Sequence, residues 1–147
     1  MQSTVAIIRP EAIGRLPAIR GNIAVSGLTI SRETSFYCDN RAKTEEYVGH
    51  LLYRVPGDVI EATVQSFLGY RVSMLLITGR DAIERFRELA GAQMSPGECG
   101  TRTLRYLYGV HHPDDLGDGL RYWKNGVLRP ANQDEARWDA SLFECWA

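Results

Sequence analysis

The sequence predicts an α+β fold in which helices cover one face of a sheet. Two short apolar, β-branched runs, TVAIIR (4–9) and RVSMLLITG (71–79), have the composition of buried strands. Segments with apolar residues at helical spacing lie between and after these runs. A sheet with helices on one side is the simplest arrangement of such an alternation, which includes one βαβ unit.

The first third of the chain predicts a strand, a helix and a second strand. The first strand should end at Arg9, because Pro10 follows it directly. A helix can begin at Pro17, carry Ile19 and Ile23 on one face, and end at Gly27. Residues 28–38 alternate imperfectly, which predicts a strand of mixed pattern.

Two helices are expected before the second core strand, and more helix after it. The first covers 42–51, and the second begins with Asp58 as its N-cap and ends at Gly69. After the strand at 71–79 we expect a helix over 80–91. The loop 92–125 is rich in Gly, Pro, Asp and His and holds one apolar island at 104–108. The last elements are a weak strand near 120–128 and a helix over 133–143.

Length and composition are those of a single globular domain. A chain of 147 residues predicts a single domain over 1–147, and 44% hydrophobic with 24% charged residues is ordinary for a globular protein. The net charge of −1 argues against a dedicated nucleic-acid binder. Cys38, Cys99 and Cys145 form no CxxC pair, so we expect free thiols. Because neither a leader nor an apolar run of about 20 residues is evident, we expect a cytoplasmic protein without membrane attachment.

Arginines are the first candidates for a binding site. Arg9 ends a buried strand, where its guanidinium could hold a phosphate with two hydrogen bonds, although an ion pair with Glu11 would also explain it. Further along, Arg87, Arg102 and Arg105 could converge on a diphosphate or triphosphate. The alternative is that these arginines lie in solvent near acidic partners such as Glu84 and Glu88.

Five segments in order resemble the nucleoside diphosphate kinase family. They are TVAIIRPEAI, TEEYVGHL (44–51), TGRDAIERFREL (78–89), TLRYLYG (103–109) and KNGVLRPANQDEARWDASLF (124–143), and they extend over nearly the whole chain. The resemblance implies a ferredoxin-like βαββαβ sandwich with helices covering an antiparallel sheet, and dimers that assemble further. It also implies phosphoryl transfer between nucleotides through a phosphohistidine, with Mg²⁺ bound to the phosphates.

The resemblance also implies a set of site residues. Arg9 stands at the family's strand-end lysine and Gln93 at its phosphate-binding threonine, while Asn125 matches the asparagine that contacts the sugar. The implied ligand-binding residues are Arg9, Tyr47, Arg87, Gln93, Arg105 and Asn125, with Glu11 and Asp139 supporting them.

The catalytic motif departs from the family pattern. The family's Asn-x-x-His-Gly-Ser-Asp reads Asn-Gly-Val-Leu-Arg-Pro-Ala here, so Leu128 replaces the catalytic histidine and Pro130 the supporting serine. A leucine side chain has no lone pair with which to attack phosphorus. The family's aromatic clamp for the base is also missing, because Val59 or Ile60 falls near its position. We therefore expect the usual double displacement to be absent.

An insertion at 109–124 offers candidate substitutes for the lost histidine. His111 or His112, oriented by Asp114 or Asp115, could act as a relocated imidazole. The same residues could instead form a solvated turn or a metal site. Trp123 could stack on a base or pack in the core.

The sequence leaves three functional readings open. The first is a nucleotide-binding or phosphate-ligand-binding protein without phosphohistidine transfer. The second is a working phosphotransferase that uses a loop histidine or direct transfer between two bound substrates. The third is a structural partner of an active homologue. The first two imply a nucleotide or phosphorylated small molecule as ligand, with Mg²⁺ carried by its phosphates and none held by the protein, and the resemblance favours a homo-oligomer.

Overall fold

A four-stranded antiparallel sheet forms the centre of the protein. The structure, a computed structural model, describes residues 1–52 and 55–143. The strands β1 (Gln2–Ile8), β2 (Thr29–Tyr37) and β3 (Arg71–Gly79) form most of the sheet. A short ribbon of β4 (Asp114–Asp115) and β5 (Arg121–Tyr122) stands apart from it, and β6 (Val127–Leu128) completes the sheet in the order β2-β3-β1-β6. This order confirms the ferredoxin-like α+β fold.

Helices connect the strands close to the predicted positions. They are α1 (Leu16–Val25), α2 (Arg41–Leu51), α3 (Gly57–Phe67), α4 (Ala82–Ala90), α5 (Leu104–Tyr108) and α6 (Gln133–Ala140). Two 3₁₀ turns, Pro10–Arg15 and Pro96–Glu98, precede α1 and α5. Among the described residues, no helix combines the length and apolar character needed to cross a membrane.

Helices pack on both faces of the sheet, so the expectation of one covered face is wrong. Ala6 and Ile8 of β1 face a core shared with α1 and α4. Val5 and Ile7 face a second core shared with α2 and α3. The physical reason is visible in β1, where Val5, Ala6, Ile7 and Ile8 are successive apolar residues, because a strand buried on both sides shows no alternation.

Three local features also differ from the predictions. The pattern of β2 is mixed because its register shifts between Ile30 and Arg32, which places a β-bulge there. Asp58 does not cap α3; Pro56 occupies the N-cap position and Asp58 lies in the first turn. The weak strand near 120–128 is two short strands, β5 and β6, in different sheets.

The end of β1 is tied to the segment that leads into β6. Ile8 pairs with Val127, and the backbone N–H of Arg9 donates to the carbonyl of Gly126 at 2.8 Å. Gly126 has φ of 78°, and a Cβ there would lie 3.1 Å from the backbone of Tyr108. Only glycine fits such a position without strain. This junction brings Arg9, Asn125 and Leu128 to one edge of the sheet.

Candidate functional site

A cleft of about 270 Å³ lies beside Leu128. The first turns of α3 supply one wall through Val59, and the inserted segment supplies another through Leu120 and Trp123. The lining also includes Arg9 and Asn125, from the junction between β1 and β6. The cleft therefore combines aliphatic and aromatic side chains with a few polar groups, which is the usual composition of a small-molecule site.

Arg9 is enclosed by protein groups. Its side chain is 2% exposed, and its Nε donates to Glu11 at 2.7 Å. One terminal nitrogen donates to the hydroxyl of Tyr122 at 2.7 Å and to Ser66 at 3.3 Å. The guanidinium also lies over the ring of Phe67, 5.4 Å from its centroid. The ion pair with Glu11, which the sequence left open as an alternative, is present, so Arg9 borders the cleft with most of its donors already engaged.

Asn125 has an unsatisfied acceptor in the cleft. The residue is only 6% exposed, and its Oδ1 has no hydrogen-bond partner among the described residues. The neighbouring backbone is held in place, because Glu11 also accepts a hydrogen bond from the N–H of Gly126 at 2.9 Å. Buried carbonyl oxygens are nearly always paired, so this one points to a donor that the chain itself does not supply.

Arg105 is a buried cation whose hydrogen bonds, within the described part of the chain, go to backbone carbonyls. Its Nε donates to Val127 at 3.0 Å, and a terminal nitrogen donates to Gln93 at 2.9 Å. Within the described ranges, no carboxylate lies within 4.0 Å of its guanidinium. Burial, helped by the charges of Arg129 and Arg9, lowers the pKa of Arg105 to about 10. An unpaired buried cation favours binding of an anion.

Arg129 is a site residue that the sequence reasoning missed. It bonds to the carbonyls of Gly91 at 3.3 Å and Ala92 at 3.2 Å, just past the end of α4. Burial and the charge of Arg87 lower its pKa. The available signal was its place in the altered motif, where a cation follows the lost nucleophile and the family has a small glycine.

Arg87 and Gln93 occupy the same region with different roles. Arg87 is about one-third exposed and pairs loosely with Glu84 at 3.7 Å. Its Nε is buried and has no hydrogen-bond partner among the residues that the structure describes. Gln93 has an exposed side chain and contributes its backbone carbonyl to Arg105. Arg102 is exposed and is not among the residues that hold Arg105 or border the cleft.

Tyr47 and Asp139 lie outside the cleft. Tyr47 is wholly buried, packs edge-to-face on Phe36, and has a pKa raised above the usual value chiefly by burial. Asp139 borders a second cavity of about 160 Å³, and Leu128 lines both this cavity and the cleft. Burial and the charge of Glu135 raise the pKa of Asp139 to about 7. Asp139 is therefore close to Leu128, as the resemblance implied.

The inserted histidines are held away from the cleft. His111 Nε2 lies 2.7 Å from the carbonyl of Tyr106, and its ring packs on that tyrosine. His112 is exposed, as are Asp114 and Asp115. These residues do not form a metal-binding group, and no cluster of three or more potential metal ligands occurs in the part of the chain that the structure describes.

The structure describes two of the three cysteines that were predicted to be free thiols. Cys38 and Cys99 are free and buried. Cys145 lies outside the described residues.

Solved nucleoside diphosphate kinases share this fold. The enzyme from Borrelia burgdorferi, solved as a transition-state mimic with bound vanadate and ADP, matches with a TM-score of 0.76 at 19% identity, over 99% of this chain and 86% of its own. The Aquifex aeolicus enzyme matches with a TM-score of 0.76 at 20% identity, over 99% and 95% of the two chains. The Encephalitozoon cuniculi enzyme matches with a TM-score of 0.73 at 21% identity, over 97% and 88%.

Sequence comparisons alone do not find this likeness. No protein-family model matches the chain, and no curated protein matches it by sequence. The structural matches establish that the chain has the α+β fold of nucleoside diphosphate kinases.

Proposed function

We propose that this protein is a divergent member of the nucleoside diphosphate kinase family that binds a nucleoside diphosphate or triphosphate without phosphohistidine transfer. The observation that carries the proposal is Arg105, a buried cation with no carboxylate within 4.0 Å among the described residues, together with Asn125, which lines the cleft. Arg105 bonds only to backbone carbonyls, and Asn125 Oδ1 has no partner among the described residues. A ligand that carries both hydroxyl groups and negative charge would satisfy both kinds of group.

The proposed ligand would lie with its parts matched to the chemistry of the lining. The phosphates would lie toward Arg87 and Arg105, and a sugar hydroxyl would donate to Asn125. The base would lie in the apolar part of the cleft, between Val59 and Trp123. Mg²⁺ would be carried by the phosphates. A structural relative has been solved with bound ADP and vanadate, which supports this choice of ligand class.

The side chains around Leu128 support the proposed absence of covalent catalysis. Leucine cannot attack phosphorus, and the contacts of His111 are with Tyr106 and not with the residues of the cleft. Asp139 and Leu128 both border the smaller cavity, so an acid remains near the position of the lost histidine. The site would then hold a nucleotide and serve as a binding or regulatory module.

Calorimetry with Arg87→Ala tests the binding proposal. Arg87 is half-buried and has only a loose pairing with Glu84, so its replacement should leave the fold intact. We expect ADP to bind the natural protein and the affinity to fall at least tenfold in the variant, because a charge-assisted hydrogen bond contributes about 1.5–3 kcal/mol. Arg80→Ala is the matched control, since Arg80 is 94% exposed, and should bind ADP normally. Equal affinity in both variants would contradict the proposal.

Direct transfer between two nucleotides is a second candidate, favoured by the same cluster of arginines. Phosphoryl transfer needs mainly positioning and charge stabilisation, which guanidinium groups can supply. Labelled ATP, Mg²⁺ and a nucleoside diphosphate would yield labelled product if this reaction occurs. Product that survives in a His111→Ala, His112→Ala double variant would support direct transfer, whereas product lost in that variant would indicate a relocated histidine.

A further inference from the structure

Arg129 lies at the smaller of the two cavities that meet at Leu128. That cavity shares Leu52, Val55 and Leu128 with the cleft. One terminal nitrogen donates to the carbonyls of Gly91 and Ala92, which fixes the side chain at the end of α4. Its Nε is buried and has no hydrogen-bond partner in the described ranges.

Charges of both signs surround Arg129: besides burial, Arg87 lowers its pKa, whereas Glu135, Cys99 and Glu84 raise it. Arg87, on the last turn of α4, also has a buried Nε without a partner among the described residues. Burial is the main cause of the lowered pKa of Arg129, and the charge of Arg87 lowers it further. Burial also dominates at Arg105, whose pKa the charge of Arg129 lowers in addition.

Nearby carboxylates do not neutralise this charge. Glu84 pairs with Arg87, and Glu135 uses one oxygen to accept from the N–H of Ala131. Asp139, in the same cavity, has a pKa of about 7, so it is partly protonated at neutral pH. Within residues 1–52 and 55–143, no carboxylate lies within 4.0 Å of the Arg129 guanidinium.

We propose that Arg129 is a specificity-determining residue that, together with Arg87, binds the terminal phosphate of the ligand and makes the site select a triphosphate over a diphosphate. A terminal phosphate would accept hydrogen bonds from donors that now lack partners, and it would separate two like charges. The identity of the ligand as a nucleotide rests on the proposed function, but the anion site rests on the arginines alone.

A purely structural role for Arg129 makes a different prediction. Its bonds to Gly91 and Ala92 satisfy carbonyls at the end of α4, where a cation also interacts well with the helix dipole. If this were its whole role, its removal would lower stability and would weaken all phosphorylated ligands equally.

The test is the ratio of ATP to ADP affinity, measured by calorimetry without Mg²⁺. Arg129→Met keeps most of the side-chain stem and removes the charge, whereas Arg129→Lys keeps the charge and loses the planar fork. We expect the natural protein to prefer ATP by about tenfold, since one added charge-assisted contact is worth that much. The preference should disappear in the methionine variant and persist in part in the lysine variant.

Arg85→Met is the matched control. Arg85 lies on α4, the helix whose end Arg129 contacts, and like Arg129 it donates to backbone carbonyls, those of Arg80 at 2.9 Å and Ser26 at 2.6 Å. It does not border either cavity at Leu128. Its replacement should leave the ATP/ADP ratio unchanged. An unchanged ratio in Arg129→Met would overturn the proposal, and the lysine variant decides the matter if the methionine variant does not fold.

Inorganic tripolyphosphate separates this inference from the proposed function. If nucleotides do not bind but tripolyphosphate binds in an Arg129-dependent way, the nucleotide assignment fails and the anion site stands. If ATP and ADP bind equally well and independently of Arg129, the nucleotide assignment stands and this inference fails. If no polyphosphate binds to the folded protein, both fail.

Discussion

The unsatisfied carbonyl of Asn125 is a local cost that a ligand would remove. A buried polar atom without a partner costs about 1–3 kcal/mol, and Asn125 is 6% exposed with an unpaired Oδ1 among the described residues. We expect Asn125→Leu to leave the free energy of unfolding unchanged or to raise it, and to weaken ADP binding by about tenfold. Urea unfolding and calorimetry measure the two effects. A variant that loses stability but keeps its ADP affinity would show that the side chain serves the fold.

Asp139 should make stability depend on pH. Its pKa in the folded protein is about 7, above the ordinary value of 3.8, because the carboxyl is buried and close to Glu135. The folded state binds this proton more tightly than the unfolded state, so the bound proton stabilises the fold. This stabilisation is complete below pH 3.8 and is lost as the pH rises to about 7. Arg129 and Glu135 border the same cavity and do not change this sign.

The matching variant is Asp139→Asn, which cannot ionise. We expect its free energy of unfolding, relative to the natural protein, to be more favourable at pH 8 than at pH 5, because only the natural protein must bury a charge at pH 8. Urea unfolding at the two pH values measures the difference. A difference that does not change with pH would mean that the carboxyl titrates as if it were exposed.

At the scale of elements, the inserted segment stabilises the strand end of β1. The hydroxyl of Tyr122, in β5, accepts from Arg9 at 2.7 Å and donates to Thr63 of α3 at 3.1 Å. Tyr122→Phe would leave Arg9 and Thr63 with one partner fewer, which should cost about 1–3 kcal/mol of folding free energy. Tyr70→Phe is the control, because Tyr70 is 58% exposed and should cost almost nothing. Equal stability of the two variants would contradict this role for the insertion.

The sequence predicted elements well where local pattern determines them. The strand at 71–79 was predicted at its observed bounds, and α5 coincides with the apolar island at 104–108. Patterns within one segment do not show what covers each face of a sheet, so the helices on the second face were missed. The bulge in β2 was also missed, because it depends on the register with β3.

The site was predictable only in outline. Leu128, Arg105 and Asn125 came from motif positions, and the structure brings all three near the junction of β1 and β6. The engagement of Arg9 by Tyr122 joins residues 113 positions apart, which no local spacing can reveal. Arg129 was missed because the motif was compared with the family only for the residues lost, Leu128 and Pro130, and not for a cation gained between them.

At the scale of the whole molecule, the sheet has a free edge that suggests self-association. Within the described residues, β2 is one of the two outer strands of the four-stranded sheet, and Tyr37 at its end is 50% exposed. Exposed edge strands are usually covered by another chain or otherwise protected. We predict a homo-oligomer, detected by sedimentation as a mass at least twice the 16.5 kDa of one chain. A monomer at high protein concentration would rule this out.

Positive charge is concentrated in one region of the molecule. The net charge is −1, yet positive charge is concentrated here: besides burial, Arg87 lowers the pKa of Arg129, and Arg129 lowers the pKa of Arg105. Such a concentration of positive charge in a nearly neutral protein favours a small anionic ligand over a large polyanion.

The most direct test uses ATP labelled on its terminal phosphate, with Mg²⁺. The protein is collected on a filter in native form and, in parallel, after denaturation at alkaline pH, where phosphohistidine survives. The account predicts that the native protein retains label and that the denatured protein retains none, since ATP is bound but not attacked. No label on the folded native protein would contradict nucleotide binding, and label that survives denaturation would contradict the loss of covalent transfer.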